Sequence, residues 1–125
     1  MAAADGLAAI DAVAAVRTQV ASVLQVCEIR AIAADDLWLS PNYRRDSIAL
    51  HFTWIADTSA VLPVVASVEE ALAPLHPRPH WGKIFTAAPE VIRAEYPRFG
   101  DFKDLVRRSD PLGVFRNEWL DAVLG

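Results

Sequence analysis

Ser47-Ile48-Ala49-Leu50-His51-Phe52-Thr53-Trp54-Ile55 alternates with a period of two. Ile48, Leu50, Phe52 and Trp54 fall on one side, and Ala49, His51 and Thr53 on the other. A bulky apolar face opposite a small polar one is the pattern of a half-buried β-strand. Upstream, Cys27 to Ala33 alternates in the same way. It sets Cys27, Ile29 and Ala31 on one face and Glu28, Arg30 and Ile32 on the other. If the two strands pair antiparallel with their apolar faces together, Glu28, Arg30, His51 and Thr53 share the opposite face. Cys27 and Phe52 then belong to the core. The connection, Ala34 to Asp46, is turn material: Asp35-Asp36, Ser40-Pro41-Asn42 and Arg44-Arg45.

The remainder reads as helix. Residues 7–24 repeat Leu7, Ile10, Val13, Val16, Val20, Val23 and Leu24 near helical spacing. Ala56 to Leu75 forms a second helix, with Thr58 or Ser59 as its N-cap. His76-Pro77-Arg78-Pro79 ends it and sets an extended approach to His80-Trp81-Gly82-Lys83. Ala88 to Tyr96 and Phe99 to Ser109 follow. Beyond the turn Asp110-Pro111-Leu112-Gly113 comes a last helix, Asn117 to Leu124. The expectation is one α+β domain over residues 1–125: a small antiparallel sheet with helices packed against it.

Composition narrows the function. The chain has 125 residues and is 54% hydrophobic, enough for a packed core. Its net charge of -4 gives no basic footprint, which argues against nucleic acid as a partner. One cysteine, Cys27, rules out a disulfide framework. The Ala-rich start lacks a basic n-region and carries Asp5 and Asp11, so it does not read as a secretion signal. No uncharged apolar run approaches the roughly 20 residues of a bilayer span. A cytoplasmic protein is expected.

Each chemical candidate has a plainer alternative. Glu28 and Arg30, two apart on one strand face, suit a surface ion pair. They equally suit a grip on a polyol or carboxylate, the guanidinium donating and the carboxylate accepting. Lys83, after Gly82, is either a snorkelling surface residue or an ammonium desolvated beside Arg30, where its pKa would fall. His51 is a structural histidine or a base. His76 and His80 are four apart, but Pro77 and Pro79 forbid the helix that would aim both at one metal, and no third ligand has zinc-type spacing. No metal site is expected. Asp35-Asp36 fits turn chemistry better than a paired-carboxylate catalyst. No P-loop, Rossmann fingerprint or G-x-S-x-G elbow occurs.

Several segments taken in order carry a resemblance. Glu28-Ile29-Arg30, Ala34-Asp35-Asp36-Leu37-Trp38-Leu39-Ser40-Pro41, His51-Phe52-Thr53-Trp54, Pro79-His80-Trp81-Gly82-Lys83 and Asp110-Pro111-Leu112-Gly113-Val114-Phe115-Arg116-Asn117 are similar to the C-terminal part of the alditol (xylitol/sorbitol) oxidases. These are relatives of the D-arabinono-1,4-lactone oxidases, in the vanillyl-alcohol-oxidase superfamily of flavoproteins. The likeness runs from about Ile10 to the end. It implies that Glu28, Arg30, Thr53 and Lys83 hold a polyol or aldonolactone, that His51 lies near the reacting end, and that His80 faces the flavin of FAD. It further implies that a carbinol carbon gives up a hydride as its hydroxyl loses a proton, and that dioxygen becomes hydrogen peroxide. Arg30 and Lys83 would stabilise developing alkoxide charge; Glu28 and Thr53 would orient neighbouring hydroxyls.

The family's N-terminal FAD-binding domain, with the histidine that attaches the cofactor, has no counterpart in these residues. Arg44 stands where the family pattern leads one to expect a small residue. Three readings result. The chain is the substrate (cap) part of an FAD oxidase, working with a flavin-binding domain in trans. Alternatively it is a truncated remnant or stand-alone polyol-binding module without redox chemistry. The third is an interaction domain that forms homo-oligomers through an exposed face bearing Trp54, Trp81 and Phe85. Some relatives in the lactone branch associate with membranes, but no anchor is encoded here.

Overall fold

The computed structural model describes residues 1–125. A 3-10 turn, Ala3–Asp5, leads into α1 (Gly6–Ala15) and α2 (Arg17–Val23). Then come β1 (Leu24–Ile32), β2 (Ser47–Trp54), α3 (Thr58–Leu72) and a second 3-10 turn, Ala73–Leu75. The chain finishes with α4 (Pro89–Glu95), α5 (Phe99–Ser109) and α6 (Glu118–Leu124). This is the expected α+β arrangement, helices beside one two-stranded antiparallel sheet.

The register agrees with the alternation. Glu28 lies opposite His51, Arg30 opposite Ala49, Cys27 opposite Phe52 and Val26 opposite Thr53. Directly opposed residues share a face, so Glu28, Arg30, His51 and Thr53 lie on the same side of the sheet. β1 starts at Leu24, ahead of Cys27, because a bulge between Leu24 and Val26 lets the pairing continue to Trp54.

Two apolar cores flank the sheet and the loop after it. The first joins Ala9, Val20 and Val23 of α1 and α2 to Val61, Val64, Val65, Val68 and Leu72 of α3. The i, i+3, i+4, i+7 spacing in α3 makes that one stripe. Leu50, Phe52 and Trp54 pack against it half-buried, Phe52 and Trp54 stacked at 5.0 Å. The second core gathers Ile92, Tyr96, Phe99, Val123 and Leu124, with Trp81 and Phe85 at its margin. Arg78 ties the halves together. Its Nε donates to the Glu95 carbonyl at 2.8 Å, and its Nη1 to the Pro41 and Tyr43 carbonyls at 3.2 Å each.

Several expectations need correction. The helix expected over 7–24 breaks at Val16 (φ -102°, ψ 13°) and bends by 76°, which lets both pieces lie on α3. Asp57, rather than Thr58 or Ser59, caps α3, accepting from the Ala60 N–H at 3.1 Å and the Ser59 hydroxyl at 2.7 Å. Cys27 is exposed, as are Ile29 and Ala31, because the first core reaches three residues of β2 but only Leu24 of β1. Trp54, Trp81 and Phe85 are half-buried, not a bare patch. Arg44 adopts a left-handed φ of 50°, a conformation that favours glycine. The 18 residues Thr58–Leu75 have a mean hydropathy of 1.3, enough by length and composition to cross a bilayer. Their valine stripe lies on the first core and Glu69 and Glu70 interrupt them, as in a core helix of a globular domain.

Candidate functional site

The shared polar face is organised by a single carboxylate oxygen. Glu28 Oε2 accepts from Arg30 Nη2 at 2.7 Å and is 2.8 Å from His51 Nδ1. Strand geometry supplies both contacts: Arg30 is two residues along β1, and His51 sits directly across on β2. An ionised carboxylate can only accept, so Nδ1 must carry the proton; neutral His51 therefore keeps Nε2 as a free acceptor. The His51 hydrogen bond, followed by the Arg30 charge, holds the Glu28 carboxyl below the usual carboxylate range. Glu28 Oε1 makes no hydrogen bond within the chain. Thr53 lies two residues beyond His51 on the same face and is exposed.

This face is wet. The Glu28, Arg30 and His51 side chains are 46%, 57% and 31% exposed. At that exposure water screens their charges, and the same groups would act far more strongly under a cover. What they form now is a set of paired donors and acceptors open to a polyhydroxylated ligand.

His80 and Lys83 lie on a separate turn after Arg78. The Lys83 N–H donates to the His80 carbonyl at 3.0 Å, and the Gly82 N–H to His80 Nδ1 at 3.0 Å. Neutral His80 therefore holds its proton on Nε2, a free donor. A Cβ at Gly82 would sit 3.2 Å from His80 Cε1, so a side chain there would push the ring. Trp81 and Phe85 anchor this turn on the second core. Lys83, between them, stays exposed and joins none of the chain's salt bridges. Of its two alternatives, the desolvated one is not met within this chain, where Lys83 is exposed. Glu28, Arg30, His51 and Thr53 are brought together; no hydrogen bond or ion pair ties His80 or Lys83 to them.

The other candidates resolve as local structure. His76 (φ 49°) hydrogen-bonds Glu95 Oε1 at 2.9 Å, apart from the His80 turn. Asp35 closes its own loop, accepting from the Leu37 N–H at 3.0 Å and from the Ser40 hydroxyl. In the sequence Arg78 reads only as part of a helix stop, yet its bonds to the Glu95, Pro41 and Tyr43 carbonyls fix where the His80 turn begins. An arginine between two prolines, with no helix to line, was the available signal.

Residues 2–123 match the family model described as D-arabinono-1,4-lactone oxidase. Alditol oxidase of Streptomyces sp. (strain IKD472 / FERM P-14339) is 54% identical over 121 residues, which is 97% of this chain and 29% of that protein. L-gulono-1,4-lactone dehydrogenase of Mycobacterium tuberculosis (strain ATCC 25618 / H37Rv) is 33% identical over 112 residues, 88% of this chain and 26% of that protein. L-gulonolactone oxidase of Scyliorhinus torazame is 32% identical over 97 residues, 75% of this chain and 22% of that protein. The chain spans less than a third of the length of each of these relatives. Because the match runs through both strands, the His80 turn and α6, it covers the whole architecture described above, and the chain belongs to the D-arabinono-1,4-lactone oxidase family.

Proposed function

We propose that this chain is the substrate-holding part of an FAD-dependent oxidase that acts on a carbinol group of a polyol or sugar lactone, with dioxygen as acceptor. The single observation that carries the reading is the Glu28 hub, which leaves a carboxylate oxygen and a histidine nitrogen unused on an open face. Vicinal hydroxyls are donors and acceptors in alternation, and Glu28 Oε1, His51 Nε2, the Arg30 guanidinium and the Thr53 hydroxyl offer the complementary set. His51 Nε2 accepts the proton of the reacting hydroxyl, while Glu28 fixes the tautomer that makes this nitrogen basic. Arg30 donates to the alkoxide as it develops, and Lys83 adds its charge once a covering domain brings its turn against the strands.

The residues fit a flavin at one end only. His80 offers a free Nε2–H, suited to an acceptor atom on the ring, and the remaining contacts come from a flavin-binding domain outside this chain. When bound, FAD supplies the two-electron acceptor and passes the electrons to dioxygen, giving hydrogen peroxide. The free thiol of Cys27 on the surface suits the reducing cytoplasm, where we place the protein.

NMR of the isolated chain tests the binding half of this reading. Xylitol should shift the His51 ring resonances and the β1 and β2 amides, and Glu28→Gln should weaken that response about tenfold, as expected for losing a charged hydrogen-bond acceptor. Shifts confined to other parts of the molecule, or an unchanged response in Glu28→Gln, would remove the polyol-binding role from this face.

A further inference from the structure

Tyr96 is 2% exposed, in a core it shares with Ile92, Phe99, Val123 and Leu124. A phenylalanine would fill the same space, as Phe99 does in that core. The Tyr96 hydroxyl does something more: it donates to the Pro79 carbonyl at 3.2 Å. That oxygen and the His80 nitrogen belong to one planar peptide unit. Fixing the oxygen therefore fixes the plane from which the His80 side chain departs.

Two further contacts bracket the same histidine. The Arg78 guanidinium carbon lies over the Tyr96 ring, 5.5 Å from its centre, and Trp81 meets that ring edge-on with centroids 5.7 Å apart. Tyr96 thus holds Arg78, Pro79 and Trp81, on both sides of His80. The segment can do little to hold itself, because Pro77 and Pro79 have no N–H to donate. Beyond Trp81, the Gly82 N–H bonds His80 Nδ1 and the Lys83 N–H bonds the His80 carbonyl. Whatever orients His80 therefore orients the turn that carries Lys83.

We propose that Tyr96 is a positioning residue for His80. Its hydroxyl holds the Pro79–His80 peptide so that Nδ1 meets the Gly82 N–H, leaving Nε2–H as the donor offered to the flavin. This rests on the oxidase reading only for what His80 does; the positioning is a property of this chain. If the buried hydroxyl had merely found its nearest acceptor, removing it would leave His80 as it was.

Long-range proton–nitrogen NMR spectra of the full chain separate these cases, since they read the tautomer of each histidine ring. Wild-type His80 should be protonated at Nε2. In Tyr96→Phe, which keeps the ring, His80 should become a mixture of tautomers. The Gly82 amide should then exchange with water about tenfold faster, by local opening. The His51 ring and the Ile92 amide, bonded to the Ala88 carbonyl in the same core, should stay as they are. Gly82→Ala is the second variant: a Cβ there lies 3.2 Å from His80 Cε1, so it displaces the ring without touching the core. It should give the same His80 signature. Combined with the flavin-binding part of the Streptomyces alditol oxidase, both variants should lower the maximal peroxide rate on xylitol about 10- to 100-fold, with a smaller change in KM. An unaltered His80 spectrum in Tyr96→Phe, equal acceleration of the Ile92 amide, or a wild-type rate would overturn the proposal. If the wild-type mixture makes no peroxide, it is the oxidase reading that falls, and the spectra alone decide what Tyr96 does.

Discussion

At Glu28 one carboxylate oxygen serves both the Arg30 guanidinium and the His51 ring, so its ionisation state sets the geometry of the whole face. Its folded-state pKa lies below the ordinary value of 4.5, first through the His51 hydrogen bond and then through Arg30. A depressed carboxylate stabilises the fold above its unfolded pKa, and that contribution disappears as pH falls through the folded value. Urea unfolding midpoints should therefore drop below about pH 4.5 in the wild type. Glu28→Gln should lose that part of the acid dependence while staying folded near neutrality, since the side chain is exposed. An unchanged acid profile would mean that the hub does not persist in solution. Glu28, Arg30, His51 and Thr53 were legible as a set because strand alternation and antiparallel pairing fix which side chains share a face. The Glu28–His51 contact was not legible, since it needs the register to one residue.

Among the elements, β2 was the most readable and β1 the most deceptive. Both alternate cleanly, but alternation says only that two faces differ, not that anything covers the apolar one. Packing decides that: α3 brings its valine stripe to Leu50, Phe52 and Trp54, and nothing reaches Ile29, 54% exposed. The α1–α2 bend was hidden because Val16 continues the apolar spacing while its backbone leaves the helix. Half-burial of Phe52 lowers what its removal costs. Phe52→Ala should destabilise by about 1–3 kcal/mol, below the range for a fully buried phenylalanine. Ile92→Ala, at 1% exposure in the second core, should cost about 2–5 kcal/mol. Chemical denaturation ranks the two. A larger loss at Phe52 would mean that the sheet, rather than the α4–α6 core, is the more tightly packed part.

Seen whole, the molecule buries only 16 of its 125 residues, most of them in two small cores joined by Arg78. The polar strand face and the His80–Lys83 turn belong to different halves and are both exposed, which is how a site would look with its covering surface removed. The order of the motifs led from the sequence to the family. They could not show that Lys83 is exposed, because the placement of its turn is set by loops. The most direct test mixes this chain with the part of the Streptomyces alditol oxidase that it does not match, loaded with FAD, and follows hydrogen peroxide on xylitol. The account predicts peroxide only when both parts are present, reduced about 100- to 1,000-fold by Arg30→Ala. A stable complex of the two parts that binds xylitol but makes no peroxide would contradict it, and leave the chain as a polyol-binding module.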